Sequence, residues 1–213
     1  MVLIPDESNF ALMQQTEKEA LANISSTIED NGTILEIGSW LLGSTSIIAS
    51  NTKSIVYAFD VYDSVAATKF DDSIKVDMGD INWYRQAEAK VLGLGQARSA
   101  KNLQKYISPR FPNIKCITNT KTKENYNYLL KLLTGGIDMY FEDGDHSNPV
   151  IEQHLSMFVP LIKPNGYFVV HDFEAPYANY NDLNKLVNNI ISNTKTWKLV
   201  NKVDYLVILQ KKA

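Results

Sequence analysis

Apolar residues recur along the chain in two rhythms that take turns. Phe10, Met13, Leu21, Ile24 and Ile28, with Glu17 among them, fall at helical spacing after Ser8, a residue suited to capping, and predict an opening helix that ends near Asn31 and Gly32. Thr33 to Ile37 then reads as a short strand, followed by a Gly/Ser turn and a helix through Thr45 to Ala49. Ser54 to Phe59 is a second strand that ends at Asp60, and Ile114 to Thr118 a third, after a helix around Ala100 to Tyr106. Further strands are expected at Ile137 to Phe141, Tyr167 to Val170, Trp197 to Val200 and Tyr205 to Leu209. Helices are expected at Pro149 to Ile162, with Ile151, Leu155, Phe158 and Ile162 on one face, and at Leu183 to Ile191. Pro149 suits a first helical turn, where its missing N–H costs nothing. Strands alternating with helices imply an α/β fold with a mainly parallel, doubly wound sheet, and such sheets bind ligands beyond the carboxyl ends of their strands.

One stretch breaks the rhythm. Residues 62–98 are too long for an ordinary connection and hold Asp71, Asp72, Asp77, Asp80, Trp83, Tyr84, Gly93 and Gly95. We read them as a partly helical lid or substrate cap within a single domain spanning 1–213, Trp83 and Tyr84 offering flat apolar surfaces to an acceptor. Trp83 would serve equally as a homodimer contact, so both assemblies stay open.

Composition narrows the class. The chain has 213 residues, 45% of them hydrophobic, enough for one well-cored domain. The net charge of -3 with scattered Lys and Arg carries no footprint for a phosphate backbone, so nucleic acid is not an expected partner. Cys116 is the single cysteine and suits a reducing compartment. Met1 to Met13 lacks a signal-peptide pattern, and no segment approaches 18 uninterrupted apolar residues, so a soluble cytoplasmic protein without a membrane partner is expected.

Candidate chemistry sits at the strand ends. Glu36-Ile37-Gly38-Ser39-Trp40-Leu41-Leu42-Gly43-Ser44 follows the first strand, where a glycine permits close backbone approach and a helix N-terminus offers N–H groups to an anion. Asp60 ends the next strand, at the place where an acid accepts hydrogen bonds from ribose hydroxyls. Together they suit an adenosine-type ligand, and the turn lacks the glycine-rich fingerprint of a dinucleotide dehydrogenase. Asp143, Asp145, His146, His171 and Asp172 close two further strands and can converge at one rim, as a divalent cation site with a nearby base requires. A non-catalytic adenosine-binding module would need the turn but not this cluster; a metal-dependent lyase or hydrolase would need the cluster but not Asp60.

These motifs, with Glu142-Asp143-Gly144-Asp145-His146-Ser147 and Lys163-Pro164-Asn165-Gly166 through His171-Asp172, resemble the class I S-adenosylmethionine methyltransferases. The likeness is to the macrocin O-methyltransferase-like branch, relatives of the catechol O-methyltransferases, and runs from about residue 30 to 175. It implies a Rossmann-like, seven-stranded sheet with an antiparallel C-terminal strand, and transfer of a methyl group to a hydroxyl of a small molecule, a sugar or glycoside in preference to a phenol. It further implies that Glu36, Gly38, Ser39, Trp40, Ser44, Asp60, Thr120 and Asp143 line the cofactor, with Asn119 near the adenine. Asp143, His171 and Asp172 would hold Mg²⁺ or Mn²⁺, and Asp145, with His146 close behind, would take the acceptor's proton. Two positions depart from the pattern. Leu42 stands where the family has glycine, with Gly43 after it, so the turn must be remodelled or its register shifted. His171 stands where a carboxylate is common, and imidazole suits Mn²⁺, Fe²⁺ or Zn²⁺ better than hard Mg²⁺.

Overall fold

The computed structural model describes residues 2–61, 99–118, 123–176 and 180–213; the segment 62–98, with Trp83, Tyr84, Gly93 and Gly95, and positions Asn119 and Thr120 lie outside the described residues. The strands are β1 (Thr33–Ile37), β2 (Ile55–Asp60), β3 (Ile114–Thr118), β4 (Ile137–Glu142), β5 (Ile162–Val170), β6 (Trp197–Val203) and β7 (Leu206–Lys211). They form one seven-stranded sheet in the order β3-β2-β1-β4-β5-β7-β6. The pairs from β3 to β5 are parallel, and β7 runs antiparallel to both β5 and β6. This is the Rossmann-like, mainly parallel architecture expected.

The described helices are α1 (Gln15–Ser25), α2 (Gly43–Ser50), α3 (Ala100–Ile107), α4 (Lys123–Leu132), α5 (Val150–Phe158) and α6 (Asn181–Ser192). Alternate strand residues face opposite layers, as the two-residue strand period requires. Ile34, Val56, Met139 and Val169 pack with Leu21, Ile47 and Leu103 from α1, α2 and α3. Leu35, Phe59, Tyr140 and Phe168 pack with Leu129, Ile151 and Val187 from α4, α5 and α6. Burial on both faces explains why the strands read as near-continuous apolar runs. Among the described residues, no helix is long and apolar enough to cross a membrane.

The structure corrects three boundaries. The opening helix is broken: Asp6–Phe10 forms a 3-10 helix containing Ser8, and α1 starts only after Gln14. A β-carbon on Gly43 would stand 2.2 Å from the nitrogen of Ala11, so the chain between the two helices packs against the start of α2, and α1 opens with its own capping box of Gln14 and Glu17. Pro149 precedes α5 instead of lying in its first turn. Pro160, with no N–H to continue the helix, falls in a 3-10 turn, Val159–Leu161, and β5 begins at Ile162, well before Tyr167. Helix α4 was not among the predicted elements, although Tyr126, Leu129 and Leu133 carry its buried stripe.

Candidate active site

The carboxyl ends of β1, β2, β4 and β5 meet at one rim. The N–H of Gly38 donates to the carbonyl of Phe59 at 3.0 Å, that of Asp143 to Ile37 at 2.9 Å, and that of His171 to Glu142 at 3.1 Å. Because β1 lies between β2 and β4, connections leave in opposite directions there, which opens the crevice typical of such sheets.

The turn after β1 is tightly determined. Gly38 has φ +89°, and a β-carbon on it would lie 2.0 Å from the carbonyl oxygen of Asp143, so only glycine fits between the two strand ends. Leu42 takes the left-handed conformation, φ +66°, with its side chain fully buried. Leu42 thus adopts a backbone shape that favours glycine, and its apolar side chain is anchored in the core. The Asp60 carboxylate accepts the Trp40 N–H at 2.6 Å, which ties the turn to the end of β2. Ser39 and Asp60 are nearly buried. The two halves of the expected adenosine site are thus one connected structure.

Glu36 and Ser44 lie beneath that turn. Glu36 is fully buried; Ser44 Oγ donates to its Oε1 at 2.5 Å, while Oε2 has no hydrogen-bond partner among the described residues. Burial pushes the Glu36 carboxyl up to about 8 against the pull of the Ser44 hydroxyl, with the charges of Asp143 and Asp60 adding to the rise. In this arrangement Glu36 supports the start of α2 from below, and Ser44 points toward it.

Asp143, His171 and Asp172 form the second part of the rim. One ligand atom from each lies within 4.8 Å of the others. His171 Nδ1 is 2.9 Å from Asp143 Oδ1 and 3.3 Å from Asp172 Oδ1, and Nε2 is 3.3 Å from Oε2 of Glu17 on α1. Burial opposes charge on His171, but Asp143, Glu17 and Asp172 together raise its pKa to about 11. Burial raises the Asp143 carboxyl, with the His171 charge opposing and that of Asp172 adding. Burial likewise opposes charge on Glu17, yet hydrogen bonds from His171, Gln14 and Tyr205 carry it below the usual carboxylate range. Two converging carboxylates and one imidazole form a donor set that fits a divalent cation.

Asp145 and His146 part company. Asp145 is exposed, and its Oδ1 accepts from the N–H and hydroxyl of Ser147 at 3.0 and 2.5 Å. His146 is buried, Nδ1 3.6 Å from Asp172 Oδ2, its ring edge-on to Tyr180 with centroids 4.9 Å apart. A cavity of about 400 Å³ beside them is lined by Asp145, His146, Ser147, Asn148, Tyr180 and Asp182.

Behind the rim, Glu142 is fully buried and accepts from the Tyr140 hydroxyl and, at 3.1 Å, from the Gly144 N–H. His154 Nδ1 lies 3.3 Å from Glu142 Oε2, and its Nε2 is 3.2 Å from the Tyr126 hydroxyl. This polar network braces the 142–144 turn from the α5 side. Sequence reasoning missed His154, Tyr180 and Asp182 as contributors. Glu17 carried a signal: a charge at a position whose helical neighbours are apolar.

The methyltransferase domain family model matches residues 35–173, from β1 to just past Asp172, and so contains both halves of the rim. The chain belongs to that family. It is thereby placed among S-adenosylmethionine-dependent methyltransferases, whose fold it shares. An rRNA methylase from Streptococcus thermophilus superposes with a TM-score of 0.57 at 13% identity, covering 95% of this chain and 100% of its own. The O-methyltransferase TomG from Streptomyces achromogenes, involved in tomaymycin synthesis and solved with SAM, gives 0.58 at 11% identity, covering 100% of this chain and 92% of its own. MycE from the mycinamycin biosynthetic pathway, in complex with Mg, SAH and mycinamycin VI, gives 0.56 at 13% identity; 98% of this chain corresponds to 55% of that one. No curated protein matches the sequence.

Proposed function

We propose that this chain is an S-adenosylmethionine-dependent O-methyltransferase acting on a hydroxyl of a small molecule, a sugar or glycoside, with a divalent cation at the rim. The observation that carries the reading is the meeting of Asp143, His171 and Asp172 beside a turn tied to Asp60, in a chain of this family. Asp60 would take the ribose hydroxyls, and Gly38, Ser39 and Trp40 would contact the rest of the cofactor. Asp143, His171 and Asp172 would hold the cation. When bound, the cofactor supplies a methyl group on a sulfonium, and the cation lowers the pKa of the acceptor hydroxyl and fixes its place.

The chain's own groups do the rest. Methyl transfer is an in-line displacement, so alignment of the acceptor oxygen contributes most, and a base must take one proton. Asp145 suits that role better than His146: it is exposed and lines the cavity, whereas Nε2 of His146 is buried and its Nδ1 faces Asp172. The cavity combines carboxylates, a hydroxyl and an amide with the ring of Tyr180, a lining suited to a hydroxyl-rich acceptor more than to a plain aromatic one. The MycE complex, with Mg and mycinamycin VI in its crystals, supports a small-molecule acceptor and a cation on this fold.

Calorimetric titration with S-adenosylhomocysteine, with and without Mn²⁺ or Mg²⁺, tests the proposal. Binding of both is expected. Cation binding without S-adenosylhomocysteine binding would point to a lyase or hydrolase, and the converse to a metal-free transferase or a binding module.

A further inference from the structure

A buried carboxylate is costly unless something holds its charge, and Glu17 is 1% exposed. Its Oε1 accepts the N–H of Tyr205 at 2.8 Å and its Oε2 that of Gln14, the cap of its own helix, at 2.8 Å, so one local and one distant backbone donor hold it in place. The same Oε2 faces Nε2 of His171 at 3.3 Å. An ionised carboxylate only accepts hydrogen bonds, so the hydrogen on that side belongs to His171 Nε2. The opposite ring nitrogen, Nδ1, is thereby turned toward Asp143 and Asp172; with no cation bound it too carries a hydrogen, donated to Asp143 at 2.9 Å, and a cation taking its lone pair would displace that proton to solvent.

We propose that Glu17 is a positioning residue of the rim: by accepting from Nε2 of His171 it fixes the ring's tautomer and orientation, so that Nδ1 joins the Asp143 and Asp172 carboxylates as the third donor to a divalent cation. The inference rests on the cation reading above. A histidine that binds a metal through one nitrogen commonly donates its other N–H to a carboxylate, which orients the ring and strengthens it as a donor. Here that carboxylate comes from α1, an element outside the strand ends that carry the ligands. The exchange of a carboxylate for His171 thus has a structural counterpart: a carboxylate ligand could not face Glu17 without repulsion, and an imidazole can.

The test is Mn²⁺ calorimetry on the full chain and on Glu17→Gln, His171→Asp and the double variant, with ¹⁵N–¹H imidazole NMR of the wild type. The NMR should show a hydrogen on Nε2 of Mn²⁺-free His171, beside the one that Nδ1 gives to Asp143; a ring protonated at Nδ1 alone overturns the inference without needing any variant to fold. Glu17→Gln sets an amide N–H or a shared acceptor against Nε2, and Mn²⁺ affinity should fall at least tenfold. In the His171→Asp background the same substitution should raise Mn²⁺ affinity, since it removes a like charge. Loss of the Gln14 and Tyr205 contacts alone would act in the same direction in both backgrounds, and that outcome overturns the positioning role. If wild type binds Mn²⁺ and Glu17→Gln binds it within twofold, Glu17 does not position His171 and the cation reading stands. If wild type binds no Mn²⁺, the cation reading falls and the role of Glu17 falls with it.

Discussion

Gly38 and Asp143 touch so closely that a β-carbon on Gly38 would stand 2.0 Å from the carbonyl oxygen of Asp143, and Gly38 itself lies at φ +89°. The turn after β1 and the end of β4 are therefore built as one piece. Gly38→Ala should lower stability by about 2 kcal/mol or more, from strain at a left-handed position together with the enforced separation of the two loops. Urea unfolding measures it, and S-adenosylhomocysteine affinity should fall in parallel. A variant with wild-type stability and affinity would show that the loops separate freely.

Asp60 has two tasks, anchoring the Trp40 N–H and, in the proposed function, accepting the ribose hydroxyls. Asp60→Ala should weaken S-adenosylhomocysteine binding by about 1–3 kcal/mol, the range for losing hydrogen bonds to a charged acceptor. Calorimetry on the folded variant decides it. An unchanged affinity would leave Asp60 with the turn alone.

Asp143→Asn and Asp172→Asn should each abolish turnover while circular dichroism stays native, and a chelator should have the same effect on the wild type. Turnover that survives excess chelator, with no metal retained in the protein, would remove the cation from the mechanism and leave Asp145 as a metal-free base.

Glu36 makes the pH dependence of stability readable. Its carboxyl sits near 8 in the folded chain, against a usual value of 4.5, because burial opposes its charge. The folded state thus binds this proton more tightly than the unfolded state. The stabilisation is fully present below about 4.5 and is lost as pH rises toward 8, at up to ~1.4 kcal/mol per pH unit within that window. Glu36→Gln, which cannot ionise, should show a flatter profile than the wild type between pH 5 and 8. Thermal unfolding of both proteins without added metal compares them. Parallel profiles would mean that Glu36 is already ionised in the folded chain.

Much of this protein is determined locally, and that part was legible in the sequence. Strand residues such as Ile34 and Leu35 alternate between two helical layers, so their apolar runs predict buried parallel strands, and the rule that ligands bind at the strand carboxyl ends marks Asp60, Asp143, His171 and Asp172 as candidates from sequence alone. Family membership followed the same motifs. What the tertiary structure decided were relations between residues far apart in the chain. Ala11 packs against Gly43 across more than thirty residues of chain, and Leu42 holds a left-handed backbone with its side chain buried in the core. Asp145 and His146 are adjacent in sequence and equally suited to be a base by type, yet one lines the cavity exposed and the other turns inward to Asp172. Glu17 reads in sequence as a charge interrupting an apolar stripe; besides the Gln14 cap of its own helix, its partners are the Tyr205 backbone and His171, brought to it by two other parts of the fold. Periodicity and strand-end chemistry depend on near neighbours, so one sequence displays them; which way a side chain points at a rim depends on contacts that exist only once the sheet has closed its ends together.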